Sequence, residues 1–388
     1  FIWAKYKTLY LVKNFGRRLR GMKAKTHSKA LNKFLAFIGV SALALVLAMG
    51  LTGCSSDSSS DSSSGGNDAY ADLEPVTLIL ADSTAADSAG NLLGQEIANQ
   101  ANEITGGKLT IDYHGTGELG GDTDLIRQEQ SNDIQMVICQ PAPMVSFVPD
   151  MAVFDLPMAF STYNADQIET VLNGDNEFTQ GLQASFEEAG LHNLGFLQNG
   201  TFRETTSNKA LNTIEDFSAL QIRTMENSNH MAFWQAIGAE PTPLAWAEVY
   251  FALQNGTVDA QENAIDTCAG SSLQEVQDYL CMTNHILYAN NISINKEAWD
   301  SLDPAYQEAL TQAISQAIDV MKPKMLEMQD QQLQTLTDGG MEVIEYDQSF
   351  FDGILANEQV QALYTDISGQ TDGLSDTLVA ELQKTTES

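Results

Sequence analysis

The chain has 388 residues and a formal charge of −33, with 52 acidic against 19 basic side chains. Ten of those basic residues lie in the first 53 positions, which contain no Asp or Glu, so the remainder carries nine basic against 52 acidic groups. A body this acidic lacks the basic footprint needed by nucleic acid, and it disfavours adhesion to anionic lipid.

The amino-terminal segment ends in a 17-residue apolar run, FLAFIGVSALALVLAMG (34–50), followed by LTGC with Cys54 as its last residue. A basic flank, a short apolar core and small residues at the cleavage region describe a secretory signal. The combination resembles the lipoprotein signal, in which Cys54 is acylated and becomes the new amino terminus. The segment is short for a permanent span, although a retained single-pass anchor is the competing reading. Met22 is a candidate start, because residues 1–21 add nothing that the signal needs. Residues 1–53 are therefore the expected leader. The Ser/Asp-rich stretch 54–74 is expected to be a flexible tether between lipid and body, because it has almost nothing to bury. Stable anchoring needs more than one acyl chain.

The body opens on VTLILA (76–81), a strand, and continues through a helical pattern over 92–104 that is stopped by TGG. KLTIDYH (108–114) reads as a second strand. A glycine loop then enters a helix over 115–130, and IQMVICQ (134–140) is a third strand. This order predicts α/β structure with crossover helices. AVFDLPMAF (152–160) reads as a connector, 166–189 as mostly helical, and HNLGFLQNG (192–200) as a strand ending at Gly200. LQIRTM (220–225) is a strand and 227–239 a helix ended by Gly238. PTPLAWAEVYFALQNGTVDAQEN (241–263) then supplies a turn, a helix and a return strand. Residues 303–338 are almost unbroken helix with a kink expected at Pro323. A strand at MEVIEY (341–346) and a helical tail at 357–363 follow. About 310 residues exceed the size at which a single core keeps growing, so two α/β lobes with an interlobe cleft are expected.

After the leader only Arg127, Arg203 and Arg223 remain as arginines. Arg223 sits within a short apolar strand, and Arg203 three residues past the predicted end of another. A guanidinium desolvated there demands an anion, and a ligand carboxylate held bidentately is one answer. Glu204 and Glu226 are the rival partners. Arg127, in LIRQEQ, reads as framework. Asn263 lies where a strand meets a turn, suited either to a ligand polar group or to capping the next element. Trp246 is either an apolar platform for a ligand or ordinary helix packing. Ser83, Asp122 and Gln140 fall at or just after strand ends in the first lobe.

Three cysteines, Cys139, Cys268 and Cys281, accompany Cys54; a Cys268–Cys281 bridge and buried thiols are both open. No P-loop or GxSxG motif occurs, and the histidines show no metal spacing. An enzyme is not expected, and neither is a cofactor or metal.

The run LQIRTMENSNHMAFWQAIGAEPTPLAWAEVYFALQNGTVDAQEN (220–263) strongly resembles the substrate-binding proteins of tripartite ATP-independent periplasmic (TRAP) transporters. ITGGKLTIDYHGTGELGGDTDLI, VSFVPDMAVFDLPMAF and TNHILYANNISINKEAWDSL extend the resemblance over nearly the whole body. It implies two α/β lobes closing on an organic anion that is passed to membrane-embedded transporter subunits. It also implies that Arg223 anchors the carboxylate, with Arg203, Asn263 and Trp246 beside it and Ser83, Asp122 and Gln140 on the variable side. Trp246 replaces the more familiar phenylalanine. By the same resemblance, 75–200 with 289–328 form one lobe and 201–288 with 329–382 the other, spanned by the long helix. The wide tryptophan and the polar first-lobe residues favour a hydroxylated acid: a sugar acid, or a small hydroxy- or dicarboxylate. Rival readings are a receptor serving an ATP-driven importer or chemoreceptor, and an extracellular enzyme on a similar scaffold. The expected location is outside the cytoplasmic membrane, lipid-anchored or periplasmic.

Overall fold

A computed structural model describes residues 68–386. The leader, Cys54 and most of the tether lie outside the described residues.

Among the described residues nine strands form one sheet: β1 (Val76–Asp82), β2 (Leu109–His114), β3 (Met136–Cys139), β4 (Leu191–Ser207), β5 (Gln221–Thr224), β6 (Glu240–Pro243), β7 (Ala260–Asn263), β8 (Tyr279–Asn295) and β9 (Glu342–Ile344). Their order is β2-β1-β3-β8-β4-β7-β5-β6, with β9 paired to β8. β1 runs parallel to β2 and β3, and β5 runs parallel to β6 and β7. These are the two crossover units that the strand–helix alternation predicted.

The units are joined by β4 and β8, two antiparallel strands of 17 residues each. The first half of β4 pairs with the second half of β8, from Leu191↔Asn295 to Gln198↔Ala289, and β3 docks there too. The second half of β4 pairs with the first half of β8 and with β7. Each long strand thus lends one end to each lobe. Between them the register slips, once from Gln198 to Phe202 and again from Arg203 to Thr205. Gly200 sits in the first slip at φ 64°, and a Cβ there would lie 3.2 Å from the Ala165 backbone nitrogen. Both the left-handed backbone and the close approach require glycine.

The helix Pro304–Asp338 shares its apolar face between two cores. Tyr306, Leu310, Ala313, Ile314, Ala317, Met321 and Met325 fall on one face of the helix. They pack with Leu93, Ile97 and Ala101 of the helix Ala89–Thr105. Leu333 and Leu336 instead join Val249, Leu253, Leu273 and Leu280 of the other lobe. The α/β architecture with two lobes and a spanning helix is therefore present as expected, and the chain stays helical through Pro323.

Several local readings change. Strand β4 does not end at Gly200 but runs to Ser207, so Arg203 lies inside a strand. Gly200 marks a bulge, not a terminus. The expected turn at 241–243 is an edge strand, β6, where proline is tolerated because one side carries no ladder. The tail forms three helices, Gln348–Leu355, Glu358–Gln370 and Leu374–Lys384. Leu378 and Leu382 of the last one pack into the core holding Phe178 and Leu182 of the helix Glu177–Glu188. Cys139, Cys268 and Cys281 are all free, buried thiols, which removes the Cys268–Cys281 bridge.

Candidate functional site

The carboxyl ends of β1, β3, β5 and β7 converge on one recess. Ser83 and Thr84 follow β1, Gln140 follows β3, Arg223 and Met225 come from β5 and its exit, and Asn263 closes β7. Asp122, Trp246 and Thr267, each in the first turn of a helix, complete the lining. The recess opens into a wider vestibule, and the two span about 330 and about 1060 Å³ of open space, solvent at their mouths included. The two share Asp122, Arg223, Met225 and Trp246, and the vestibule adds Arg127, Phe147 and Glu226. Convergence at strand ends where two α/β units meet is the usual setting for a small polar ligand.

Arg223 is buried. Its Nε and Nη2 both donate to the Leu244 carbonyl, at 2.9 and 2.7 Å. The guanidinium carbon lies 5.5 Å from the centre of the Trp246 ring. The third nitrogen, Nη1, is buried without a partner. Burial pushes the guanidinium down to about 10, with Arg203 adding to the shift and Glu262 and Asp122 opposing it. It remains a cation at neutral pH, with one nitrogen that meets no acceptor among the described residues. An unsatisfied charged donor of this kind is costly to keep, and a carboxylate oxygen relieves it.

Arg203 is equally buried but fully engaged. Nε donates to Glu262 Oε2 at 2.6 Å, and Nη2 donates to Glu262 Oε1 at 2.9 Å and to the Glu262 carbonyl at 2.7 Å. Nη1 donates to Asn263 Oδ1 at 2.9 Å and to Gln140 Oε1. Five acceptors thus match its five N–H groups. Burial pushes the Glu262 carboxyl up, but the Arg203 charge and the His285 and Arg203 hydrogen bonds outweigh it and hold it below the usual carboxylate range. Arg203 does not line the recess; it fixes the two amides that do. Neither rival acid is its partner. Glu204, its neighbour in the strand, instead accepts from the Asn284 backbone nitrogen at 2.9 Å, and Glu226 accepts from Thr123 across the cleft.

Asn263 Oδ1 accepts from Arg203, from Gln140 Nε2 at 3.2 Å and from the Ala264 nitrogen at 2.9 Å. This fixes the amide orientation, and among the described residues its Nδ2 has no partner. Asp82 is buried at the end of β1. It accepts from Thr84 N and Oγ1 at 2.7 and 2.6 Å and from the Tyr113 hydroxyl. Those bonds lock the turn that presents Ser83 and Thr84. Ser83 Oγ donates to Asp122 Oδ1. Burial raises the Asp122 carboxyl, with Ser83 and Arg223 opposing.

Six of the seven expected ligand-side residues, Ser83, Asp122, Gln140, Arg223, Trp246 and Asn263, therefore share one recess, with Arg203 directly behind it. Sequence reasoning missed Thr84, Met225, Thr267 and above all Glu262. The rule that singled out Arg223, a charge inside a short strand, applies equally to Glu262 in AQEN and would have paired it with an arginine. Arg127 is exposed on the vestibule wall, 5.9 Å from the Phe147 ring centre.

The family model described as bacterial extracellular solute-binding protein, family 7 (DctP), matches residues 82–364. The 2,3-diketo-L-gulonate-binding periplasmic protein YiaO of Escherichia coli is 29% identical over 257 residues, 66% of this chain and 77% of that protein. A sugar acid binding protein from Advenella mimigardefordensis, solved with galactonate, has the same fold, with a TM-score of 0.74 and 24% identity over 81% of this chain and 99% of its own. A TRAP periplasmic solute binding protein from Bradyrhizobium, solved with galacturonate, gives a TM-score of 0.72 and 26% identity over 80% of this chain and all of its own (100%).

Proposed function

The chain belongs to the DctP-like family 7 of bacterial extracellular solute-binding proteins, and on that premise we propose that its recess captures an organic acid by the carboxylate and delivers it to a TRAP transporter. It is a receptor rather than an enzyme, and it acts outside the cytoplasm. The observation that carries the carboxylate assignment is Arg223 Nη1, buried and unpartnered in the recess wall. Arg223 is the anion anchor, Asn263 Nδ2 a second donor, and Trp246 the apolar platform. Arg203 acts through Gln140 and Asn263, which it holds in place. Ser83 and Asp122 meet the far end of the ligand. The solutes named for the relatives, galactonate, galacturonate and 2,3-diketo-L-gulonate, are all carboxylates with several oxygen substituents.

The lobes assigned to capture are 75–200 with 289–328, and 201–288 with 329–382. Ligand binding shifts the population toward the closed arrangement, because groups from both sides are satisfied only there. Cross-cleft hydrogen bonds support this reading. Asn227 Nδ2 donates to the Ala142 carbonyl at 3.0 Å, and Thr123 donates to Glu226. The partners are the membrane subunits of the transporter, and acyl chains on Cys54 would hold the receptor beside them through the 54–74 tether.

Calorimetric titration with aldonates, uronates, 2-oxo acids, sialic acid and C4-dicarboxylates tests the assignment. At least one acid is expected to bind, and the corresponding neutral sugar alcohols are not. Equal affinity for acid and neutral analogue would refute the role of Arg223.

A further inference from the structure

The walls of the recess differ in hydrogen-bonding sense, and that difference limits what the ligand can be. On one wall the available groups are donors, Arg223 Nη1 and Asn263 Nδ2. On the other, Ser83 and Thr84 have already committed their protons to carboxylates, as has Thr267, which follows Asn263 in the chain. Ser83 donates to Asp122, Thr84 to Asp82 at 2.6 Å, and Thr267 to Asp266 at 3.1 Å. Each hydroxyl oxygen can therefore offer a ligand only lone pairs. The Asp122 carboxylate lies on the same wall and has the same sense.

The charges agree with the hydrogen bonds. Arg223 and Asp122 are the only charged side chains lining the recess among the described residues. Arg203, the other nearby cation, has all five donors engaged and its charge offset by Glu262. One ligand carboxylate satisfies Arg223. A second would find no free cation within the recess, since Arg127 lies out on the vestibule wall beside Asp124, and would face Asp122 together with hydroxyl lone pairs. Ligand hydroxyls, in contrast, can donate to that wall, while Trp246 and Met225 cover the C–H face of a sugar-like skeleton.

We propose that the recess selects hydroxylated acids bearing a single carboxylate and rejects dicarboxylates, with Asp122 as the discriminating residue. This inference rests on the carboxylate-capture reading above and removes the C4-dicarboxylates from its candidate solutes.

The test is calorimetric titration of the purified protein, wild type and Asp122→Asn, with a panel of aldonates and uronates (D-galactonate and D-galacturonate among them) and with succinate and malate. Circular dichroism confirms that the variant folds. The wild type is expected to favour its best hydroxy-monocarboxylate over either dicarboxylate by at least about tenfold. Asp122→Asn is expected to narrow that ratio by strengthening dicarboxylate binding. Preference for succinate or malate in the wild type, or an unchanged ratio in the variant, overturns the selectivity proposal and leaves carboxylate capture standing. If no acid of either class binds, the capture reading itself fails and this inference with it.

Discussion

Arg203 Nε lies 2.6 Å from Glu262 Oε2, and neither side chain has measurable contact with solvent beyond 1%. The pair crosses from β4 to β7, with His285 Nε2 3.0 Å from the same carboxylate oxygen. It converts what the sequence presents as a second ligand-binding cation into a support for Gln140 and Asn263. Removing either charge leaves the other buried and uncompensated.

Glu262→Ala is accordingly expected to lower folding stability by about 3–5 kcal/mol. The double variant Arg203→Met, Glu262→Leu should recover most of that loss, because neither charge then remains to be solvated. Chemical denaturation of the two variants beside the wild type measures both. A loss below about 1 kcal/mol for the single change would mean that Arg203 finds other anions.

Arg223 is held by its neighbours differently, through a shared carbonyl and not a counter-charge. Arg223→Ala should leave the fold intact and weaken ligand binding by about 2–5 kcal/mol, or roughly 30-fold to several thousand-fold. Arg223→Lys should recover only part of it, because an ammonium cannot span the Leu244 carbonyl and a carboxylate as the planar fork does. Wild-type affinity in a folded Arg223→Ala protein sinks the anchor assignment.

Glu129 predicts an opposite response to pH from Glu262. Its side chain is fully buried, Oε1 has no partner, and Ser293 Oγ donates to Oε2 at 3.1 Å. Burial holds this carboxyl well above the usual range. A group raised in the folded state contributes stability that is present below its unfolded pKa and is lost as pH rises through the folded value. Glu262, held low, contributes stability above its unfolded pKa and loses it as pH falls through the folded value. Glu129→Gln should therefore flatten the decline of Tm above about pH 5 and stabilise the protein at pH 8 by about 1–3 kcal/mol. Parallel Tm–pH curves for the variant and wild type would rule this out.

The three body cysteines should behave as inert core groups. Burial pushes the Cys268 thiol up to about 12 and the Cys281 thiol up to about 11, and raises Cys139 well above its ordinary value. Little thiolate is available at neutral pH, and thiolate is the reactive form. Iodoacetamide should modify none of the three in the native protein and all three after denaturation, by intact mass. Dithiothreitol should leave Tm unchanged; a fall in Tm would reveal a bridge.

Much of this molecule is legible from the order of its residues, because the signals involved are local. Apolar runs of four to seven residues alternating with helical periodicity specify β1, β2, β3 and β5 and the helices between them. The acidic excess beyond residue 53 disfavours nucleic acid, and a lone arginine inside a short apolar strand is suspicious without any structure. The family-like run 220–263 carries most of the rest.

What the sequence could not reveal depends on pairing at a distance. Strands β4 and β8 are rich in Asn, Thr, Ser and His where the lobes meet, so their apolar alternation fails and Arg203 reads as loop. They are strands because each satisfies the other's backbone groups and the polar side chains find partners across the crossing. The two arginines look alike in sequence. Arg203 is matched donor for donor by groups 59 to 63 residues away, whereas Arg223 keeps one nitrogen unpaired beside the recess. Local chemistry determined that an anion was needed in this region. Only the tertiary structure decided which anion each guanidinium meets, because burial charges a full desolvation penalty to any donor the fold leaves unanswered.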